Sequence, residues 1–290
     1  MVARIADILK KKKRTLSFEV FPPKTPKGVE NLYAVAESLN ELKPDWFSVT
    51  YGAGGSTREL TMDIVVELQR RLGTPVMHHL ACVGHTRSEL EKILNDMKAK
   101  GICNILALRG DPPQPKEGET PFRGELEYCY ELIELIHKHG DYFSIGVAGF
   151  PEGHILCSDK ETDTKYLKLK IDAGGEFIIT QLFFNTKDYF DYVNRVRKAG
   201  VKAPILPGIL PVTNYQKLLD FAGRCGSNIP QSVHDIFKPL ADNETATYEA
   251  GIKFAVEQCR ELLAGGAPGL HFYSLNKIDP TREIVNRLGS

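Results

Sequence analysis

A carboxyl group inside an apolar strand is the first sign of chemistry in this sequence. The segment that begins at Leu16 reads LSFEVFPPK, and Glu19 lies where polar and apolar residues alternate as in a β-strand. Phe18 and Phe21 flank it, and such surroundings desolvate a carboxyl group, which favours its protonated form. A protonated carboxyl in a dry pocket suits general acid catalysis. We therefore predict that Glu19 is a catalytic acid.

A second charged segment follows another apolar run and reads LALRGDPP. Arg109, Gly110 and Asp111 come directly after the predicted strand, and Pro112 and Pro113 end it. The Pro-rich stretch 112–121 is predicted to be a long rim loop. One interpretation is a structural ion pair between Arg109 and Asp111. Gly110 between them indicates a close approach of the backbone to another group. We predict that Asp111 is an ionised carboxylate beside Arg109, with a role opposite to that of Glu19.

Lys170, near Asp163, is a candidate ligand of a phosphate group, whereas the neighbouring lysines suit a solvated helix face.

Other polar residues stand at the ends of predicted strands. Two alternatives stay open, since Thr50 and Tyr51 can simply satisfy a strand end and His79 can be a hydrogen-bonded core histidine. So many polar groups on one rim suit a large heteroaromatic ligand. The strand-end residues are Thr50, Tyr51, His79, Glu152, His154, Gln181, Asn214, Tyr215, Tyr273 and Lys277.

The elements that position these residues follow a repeating pattern. Eight apolar, β-rich runs alternate with helical segments, which predicts one (β/α)8 TIM barrel over residues 1–290. The stretch 211–267 is long enough for extra helices at the rim. An open doubly wound sheet shares the alternation, but no G-x-G-x-x-G follows the first strand. The predicted strands are 15–20, 45–51, 75–81, 102–108, 143–149, 176–184, 203–210 and 268–275.

Composition excludes several classes of function. The 37 basic and 37 acidic residues give a net charge of zero, so no global field attracts nucleic acid or an anionic membrane. No segment resembles a signal peptide or a membrane span, and we expect a cytoplasmic protein. The six cysteines are scattered singly. A metal site is not expected, because His78 and His79 point to opposite faces of a strand.

Eight segments in order carry a resemblance along nearly the whole chain. They are LSFEVFPPK, FSVTYGAGG, HHLACV, LALRGDPP, GVAGFPEGH, KIDAGGEFIITQLFF, LPGILPVTNY and HFYSLN. Together they resemble the methylenetetrahydrofolate reductase family, in its short bacterial form. The resemblance implies a flavin-dependent barrel, with FAD ahead of FMN, that reduces 5,10-methylenetetrahydrofolate to 5-methyltetrahydrofolate in one-carbon metabolism and methionine biosynthesis. It also implies electrons from NADH or from a redox partner subunit, and a homo-oligomer or a complex with such a subunit.

The resemblance also assigns roles to individual residues. Glu19 corresponds to the general acid that opens the methylene bridge of the folate, and Asp111 to a carboxylate between the flavin and the pterin. Gln181, Tyr215 and Lys277 correspond to folate-binding positions. Three residues depart from the usual pattern, because Phe150 replaces a tyrosine, Tyr215 a phenylalanine and Lys277 an arginine. The remaining positions correspond to flavin-binding residues and are Thr50, Tyr51, His79, Arg109, Gly110, Phe150, His154, Asp163 and Lys170.

Two other functions stay open from the sequence. A folate-dependent barrel methyltransferase would bind a pterin without flavin, although its zinc-dependent forms need a cysteine cluster that this sequence lacks. A subunit of a larger redox complex would depend on a partner for its activity. A flavin spectrum distinguishes the first of these from a reductase, and activity of the isolated chain distinguishes the second.

Overall fold

A closed barrel of eight parallel strands forms the centre of the protein. The computed structural model describes residues 2–52, 58–111 and 124–289, so the predicted rim loop at 112–121 lies outside the described residues. The strands follow the chain in order, and the last pairs with the first. This confirms the predicted (β/α)8 class. The strands are β1 (Thr15–Val20), β2 (Trp46–Val49), β3 (Val76–Ala81), β4 (Asn104–Leu108), β5 (Ser144–Gly149), β6 (Phe177–Leu182), β7 (Ile205–Ile209) and β8 (Gly269–Tyr273).

Helices surround this barrel. Those between successive strands cover its outer face, and two short 3-10 helices lie at Gly140–Tyr142 and Lys238–Leu240. The assignment of residues 1–290 to one domain stays a prediction. The helices are α1 (Ile5–Lys11), α2 (Pro26–Asn40), α3 (Arg58–Leu72), α4 (Arg87–Ala99), α5 (Cys129–His137), α6 (Lys160–Asp172), α7 (Thr186–Lys198), α8 (Tyr215–Cys225), α9 (Gln231–Phe237), α10 (Glu244–Ala264) and α11 (Asp279–Gly289).

Alternation along each strand separates an inner from an outer core. Trp46, Leu106 and Phe177 belong to a cluster inside the barrel, distinct from the larger cluster between strands and helices. Helix α1 closes the bottom of the barrel, since the backbone N–H of Ile5 donates to Asn104 Oδ1 at 2.8 Å. The lower end is therefore filled by side chains, and the carboxyl ends of the strands are left to build a site.

Local sequence signals fix the ends of the helices. Asp159 caps α6 by accepting from the N–H of Thr162, and Asn214 caps α8 by accepting from the N–H of Lys217. Glycines in the left-handed region precede several strands, as the sequence indicates. They are Gly73, Gly101, Gly140, Gly174 and Gly200.

The insertion between β7 and β8 contains three α-helices, as its length predicts. Helices α8 and α9 pack at the rim, where Leu218 and Phe237 join Leu182 and Leu210 from the strand ends. Helix α10 instead contributes to the outer core of the barrel. Among the described residues, no helix is both long and apolar enough to cross a bilayer.

Candidate active site

The carboxyl of Glu19 lies at the upper end of the barrel interior, between two histidines from other strands. Its Oε2 is 3.5 Å from His79 Nε2 on β3 and 3.6 Å from His271 Nε2 on β8. The Glu19 side chain is 17 % exposed, so it opens to the barrel mouth while its neighbours are buried. The strand alternation that predicts Glu19 therefore leads to a polar cluster rather than to an isolated carboxyl.

His271 is part of this cluster and was missed in the sequence. Its Nδ1 is 2.8 Å from the hydroxyl of Ser17, which itself donates to the carbonyl of Leu270 at 3.3 Å. Because the Ser17 proton is used there, we assign the Nδ1–H of His271 as the donor to Ser17. The Nε2 lone pair then faces the Glu19 carboxyl at 3.6 Å and has no hydrogen-bond partner within the described residues. His271 and Ser17 are paired in the β1–β8 register, a contact that exists only because the barrel closes.

His79 is neutral in this environment. Burial is the largest influence and lowers its pKa to about 4, although the negative charge of Glu19 acts in the opposite direction. Its Nε2 has no hydrogen-bond partner within the described structure. This nitrogen therefore remains available at the Glu19 carboxyl.

Tyr273 crosses the barrel interior near the same carboxyl. Its hydroxyl donates to the carbonyl of Thr180 at 2.6 Å, and burial raises its pKa well above the usual value. Gly208 makes room for it, because a Cβ there would lie 2.5 Å from the tyrosine oxygen. The thiol of Cys225, at the end of α8, has a raised pKa, chiefly through burial and also through the charges of Asp111 and Glu19. The negative charges of both predicted carboxylates therefore reach the Cys225 thiol.

Asp111 is exposed at the end of β4 and is not paired with Arg109. No ion pair within 4.0 Å joins these two side chains in the described residues, and Arg109 Nε donates to the carbonyl of Gly110 at 3.3 Å. The predicted placement of Asp111 beside an Arg109 partner is therefore wrong. The close approach predicted at Gly110 is to β3, because a Cβ on this residue would lie 2.8 Å from Ala81 Cβ. Its φ of +82° also favours glycine.

A cationic cluster follows β4 and β5. The Lys170 ammonium donates to the carbonyl of Ala148 at 2.6 Å and lies 5.7 Å from the ring centre of Phe150. The ring of His154 contacts Phe150 edge-on at 4.6 Å. Burial lowers the pKa of His154, and the positive charges of Arg109 and Lys170 lower it further. These residues, predicted from separate segments, are brought together at one side of the rim.

Asp163 lies under this cluster. It is 6 % exposed, and burial raises its pKa while Lys170 and Arg195 oppose that shift. In the described part of the chain, neither Arg109 nor Lys170 has a carboxylate within 4.0 Å. Two permanent cations without ion-pair partners beside an aromatic ring fit a group that carries phosphates and a flat ring.

Tyr51 points away from the barrel mouth. Its hydroxyl is 3.0 Å from His85 Nε2, and its ring lies 5.9 Å from that of His78 on the outer side of β3. Thr50 follows β2 directly and lies beside β1, where its N–H donates to the carbonyl of Val20. Thr50 and Tyr51, for which the family resemblance implied one flavin-binding role, therefore have different surroundings.

The three predicted folate ligands stand on the opposite side of the mouth. Gln181 is half-buried on β6, and its Oε1 accepts from the N–H of Leu182 at 2.8 Å. Tyr215 begins α8, and its hydroxyl lies 2.7 Å from His234 Nδ1. Lys277 is exposed after β8, at the edge of a cavity of about 270 Å³ whose wall includes Phe21.

The turn that carries Lys277 is strained and held in place. Leu275 and Asn276 have φ angles of 51° and 54°, which non-glycine residues seldom adopt. The Asn276 side chain accepts from the N–H of Phe21 at 3.0 Å and donates to its carbonyl at 2.8 Å. This clamp joins the ends of β8 and β1 and places Leu275 in the cavity wall. Among the described residues, no cluster of three or more metal-ligating side chains exists.

Comparison with known sequences assigns the family. The profile of the family described as methylenetetrahydrofolate reductase matches residues 4–289. The chain belongs to the methylenetetrahydrofolate reductase family. A bacterial relative, the 5,10-methylenetetrahydrofolate reductase of Pectobacterium carotovorum, is 36 % identical over 94 % of this chain and 90 % of its own.

Longer members of the methylenetetrahydrofolate reductase family match as well. Methylenetetrahydrofolate reductase (NADH) 1 of Arabidopsis thaliana is 38 % identical over 100 % of this chain and 50 % of its own length. The chain therefore spans about half the length of such relatives. A solved structure from Clostridium thermocellum, described as binding two copies of 5-methyl-5,6,7,8-tetrahydrofolic acid, shares the fold with a TM-score of 0.65 at 16 % identity. That likeness covers 97 % of this chain and 96 % of the other.

Proposed function

We propose that this chain is a flavin-dependent reductase that converts 5,10-methylenetetrahydrofolate to 5-methyltetrahydrofolate. The observation that carries the proposal is the Glu19 carboxyl, which is held at the barrel mouth within 3.6 Å of two histidine nitrogens. The family and the names of its bacterial relatives support the same reaction. The barrel over residues 1–290 is proposed to act as one catalytic domain.

The cationic cluster is the proposed flavin site. Arg109 and Lys170 offer charge to the phosphates, and Phe150 offers a flat apolar surface. His154 stays largely neutral because its pKa is lowered, so it can accept as well as donate a hydrogen bond. A flavin bound there would supply the hydride for the reaction. We propose FAD rather than FMN, with NADH as the electron donor named for a plant relative.

Glu19 has the central protein role in this proposal. Opening the methylene bridge of the folate requires a proton on a ring nitrogen, and a carboxyl near that nitrogen provides it. His79 Nε2 and His271 Nε2 face this carboxyl at 3.5 Å and 3.6 Å, and neither nitrogen has a hydrogen-bond partner within the described residues. His79 is neutral because burial lowers its pKa to about 4, so it places no positive charge beside Glu19. The cluster therefore holds the Glu19 carboxyl between two imidazole rings at the barrel mouth.

The other side of the mouth is proposed to orient the folate. Asp111 is exposed, so it is free to accept hydrogen bonds from an amino-pterin edge. Gln181 can bond the ring system, and Tyr215 can stack on the attached aromatic group. Lys277 can attract a carboxylate, although it lacks the planar fork of an arginine. Stacking two ring systems and excluding water is then the main task of this side.

A spectrum of the purified full chain tests the proposal. A reductase is expected to be yellow, to lose that colour anaerobically with 5-methyltetrahydrofolate, and to turn over methylenetetrahydrofolate. Lys170→Met is expected to lose flavin, whereas Lys168→Met on the same helix retains it, because Lys168 is paired with Asp172 at 2.6 Å. A colourless protein that still binds folate would overturn the proposal in favour of a flavin-free methyltransferase. Activity found only with a co-purifying subunit would show a part of a larger redox complex.

A further inference from the structure

Glu152 is a strand-end carboxylate that the proposed reaction leaves without a role. It lies two residues after Phe150 and two before His154, the residues proposed to contact the flavin. Its side chain is half-buried, and burial is the largest influence on its pKa, which it raises. Among the described residues this carboxylate has no ion-pair partner. A half-buried carboxylate without a cation is costly for the fold, so its position calls for another explanation.

The Glu152 carboxylate bonds a segment from the other side of the barrel mouth. Its Oε1 and Oε2 accept from the N–H of Asn228 at 3.1 Å and 3.2 Å. Asn228 lies in the loop 226–230 between α8 and α9, within the insertion that separates β7 from β8. A charged acceptor makes such a bond stronger than one between neutral groups. Glu152 therefore joins the loop between β5 and α6 to the insertion.

Two further contacts hold the loop 226–230 in place. Gly226, with a φ of +67°, lies directly against the β5–α6 loop, because a Cβ on this glycine would lie 3.1 Å from Ile155 Cβ. The hydroxyl of Ser227 donates to the carbonyl of Leu182 at 2.8 Å, which fixes the same loop to the end of β6. The bond from Asn228 to Glu152 is thus part of an ordered junction between the two sides of the mouth.

The segments joined at this junction carry residues proposed to bind the two ring systems. His154 follows Glu152 by two residues on the flavin side. On the folate side, Tyr215 begins α8 and lies within hydrogen-bond distance of His234 on α9, and the loop 226–230 connects these two helices. A shift of that loop would move both helices, and with them the Tyr215 ring. How precisely a site is built depends on such supporting contacts.

We propose that Glu152 is a positioning residue, which fixes the folate side of the barrel mouth relative to the flavin side through its bond to Asn228. It acts without touching either ligand. The inference rests on the function proposed above, since that function makes His154 a flavin contact and Tyr215 a folate contact. It adds that the affinity for the folate depends on a carboxylate of the flavin-side loop.

Steady-state kinetics of the full chain, saturated with flavin, test this role. Glu152→Ala removes the acceptor, so it is expected to raise the KM for methylenetetrahydrofolate about threefold to tenfold with a smaller effect on kcat. Glu152→Gln retains a side-chain oxygen that can accept from the Asn228 N–H, and its KM is expected to stay within about twofold of the wild type. Glu161→Ala is the matched control, because Glu161 is an exposed carboxylate at the start of α6. Far-ultraviolet circular dichroism checks that the variants fold.

A double-variant cycle separates positioning from a general loss of stability. In a chain that already carries Tyr215→Ala, Glu152→Ala is expected to change the folate KM by less than about twofold, because the ring that it positions is gone. An active wild type whose folate KM does not respond to Glu152→Ala would overturn this inference alone, as would an equal response with and without the Tyr215 ring. Glu152→Gln as impaired as Glu152→Ala would contradict it too, because the charge and not the bond would then matter. A wild type without flavin or folate turnover would overturn the proposed function as well.

Discussion

The hydroxyl of Tyr215 lies 2.7 Å from Nδ1 of His234, which bonds the first residue of α8 to α9. The two rings also meet edge-on, with centres 6.0 Å apart. A phenylalanine in place of Tyr215 could not make this bond. In this chain Tyr215, which is proposed to stack on the folate, is therefore held by a hydrogen bond to His234 within the insertion between β7 and β8.

The first prediction concerns this bond. Tyr215→Phe and His234→Ala each remove it and free the ring, so each is expected to raise the KM for the folate about threefold to tenfold with a smaller effect on kcat. The double variant is expected to resemble either single variant, because all three lack the same contact. Asp235→Ala, on the same helix, is the control. Additive effects of the two single changes would show that Tyr215 and His234 act independently.

The second prediction concerns Glu19. Glu19→Gln is expected to retain flavin and to be reduced normally by the electron donor, since neither step needs the acid. Folate reduction is expected to fall by roughly two or more orders of magnitude, the usual scale for a missing general acid. Stopped-flow measurement of the two half-reactions separates the effects. Near-normal folate turnover would remove Glu19 from the mechanism.

A third prediction concerns the exposed carboxylate of Asp111. Asp111→Asn is expected to weaken folate binding and to raise the reduction potential of the flavin, because it removes a negative charge near a ring that accepts electrons. The charge of Asp111 is felt at both His154 and Cys225, which places it between the two sides of the mouth. A redox titration and a folate titration check the result. No change in either would leave Asp111 without a role in the site.

Strand positions were largely predictable because apolar runs and glycine stops are local signals. The predicted strand at 203–210 is observed as Ile205–Ile209, and the one at 176–184 as Phe177–Leu182. Contacts that depend on closure of the barrel were not predictable. His271 reaches Ser17 only because the last strand pairs with the first, and nothing local in the sequence reports a partner 254 residues away.

Side-chain direction explains a second difference between sequence and structure. The family resemblance implied one flavin-binding role for Thr50 and Tyr51, yet the Tyr51 ring lies on the outer side of β3, against His78. Alternation along a strand predicts that His78 and His79 point to opposite faces of β3, and they do. The predicted ion pair between Arg109 and Asp111 is absent from the described residues for another reason, since side chains of neighbouring loop residues are free to point apart.

A fourth prediction links His78 to stability. Burial lowers its pKa to about 3, and neither ring nitrogen has a hydrogen-bond partner within the described residues. The unfolded chain takes up a proton near the ordinary value of 6.5 whereas the folded chain resists it, so this histidine destabilises the fold as pH falls from 6.5 toward 3. Between these two pH values, His78 alone lowers the free energy of unfolding by about 1.4 kcal/mol for each pH unit.

Urea unfolding of the full chain between pH 4 and 7 measures how the free energy of unfolding depends on pH. The contribution of His78 to that dependence is expected to correspond to about one proton taken up on unfolding. His78→Leu is expected to reduce the pH dependence of the unfolding free energy by that amount, because it removes the titrating ring from an apolar layer. His137→Leu, which removes an imidazole at an exposed position on α5, is the matched control. An equal slope in the wild type and His78→Leu would show that His78 is not the responsible group.

The last prediction concerns the electron donor. We expect NADH to reduce the flavin at the face that later binds folate, so the two ligands share Gln181 and Tyr215 and the kinetics are ping-pong. Mixing the oxidised protein anaerobically with NADH should bleach its yellow colour in a single phase. Gln181→Ala is expected to slow both half-reactions, because its half-buried amide is proposed to contact both ligands. Persistent colour with NADH, in a sample that 5-methyltetrahydrofolate does bleach, would exclude NADH as the donor and would indicate a redox partner subunit.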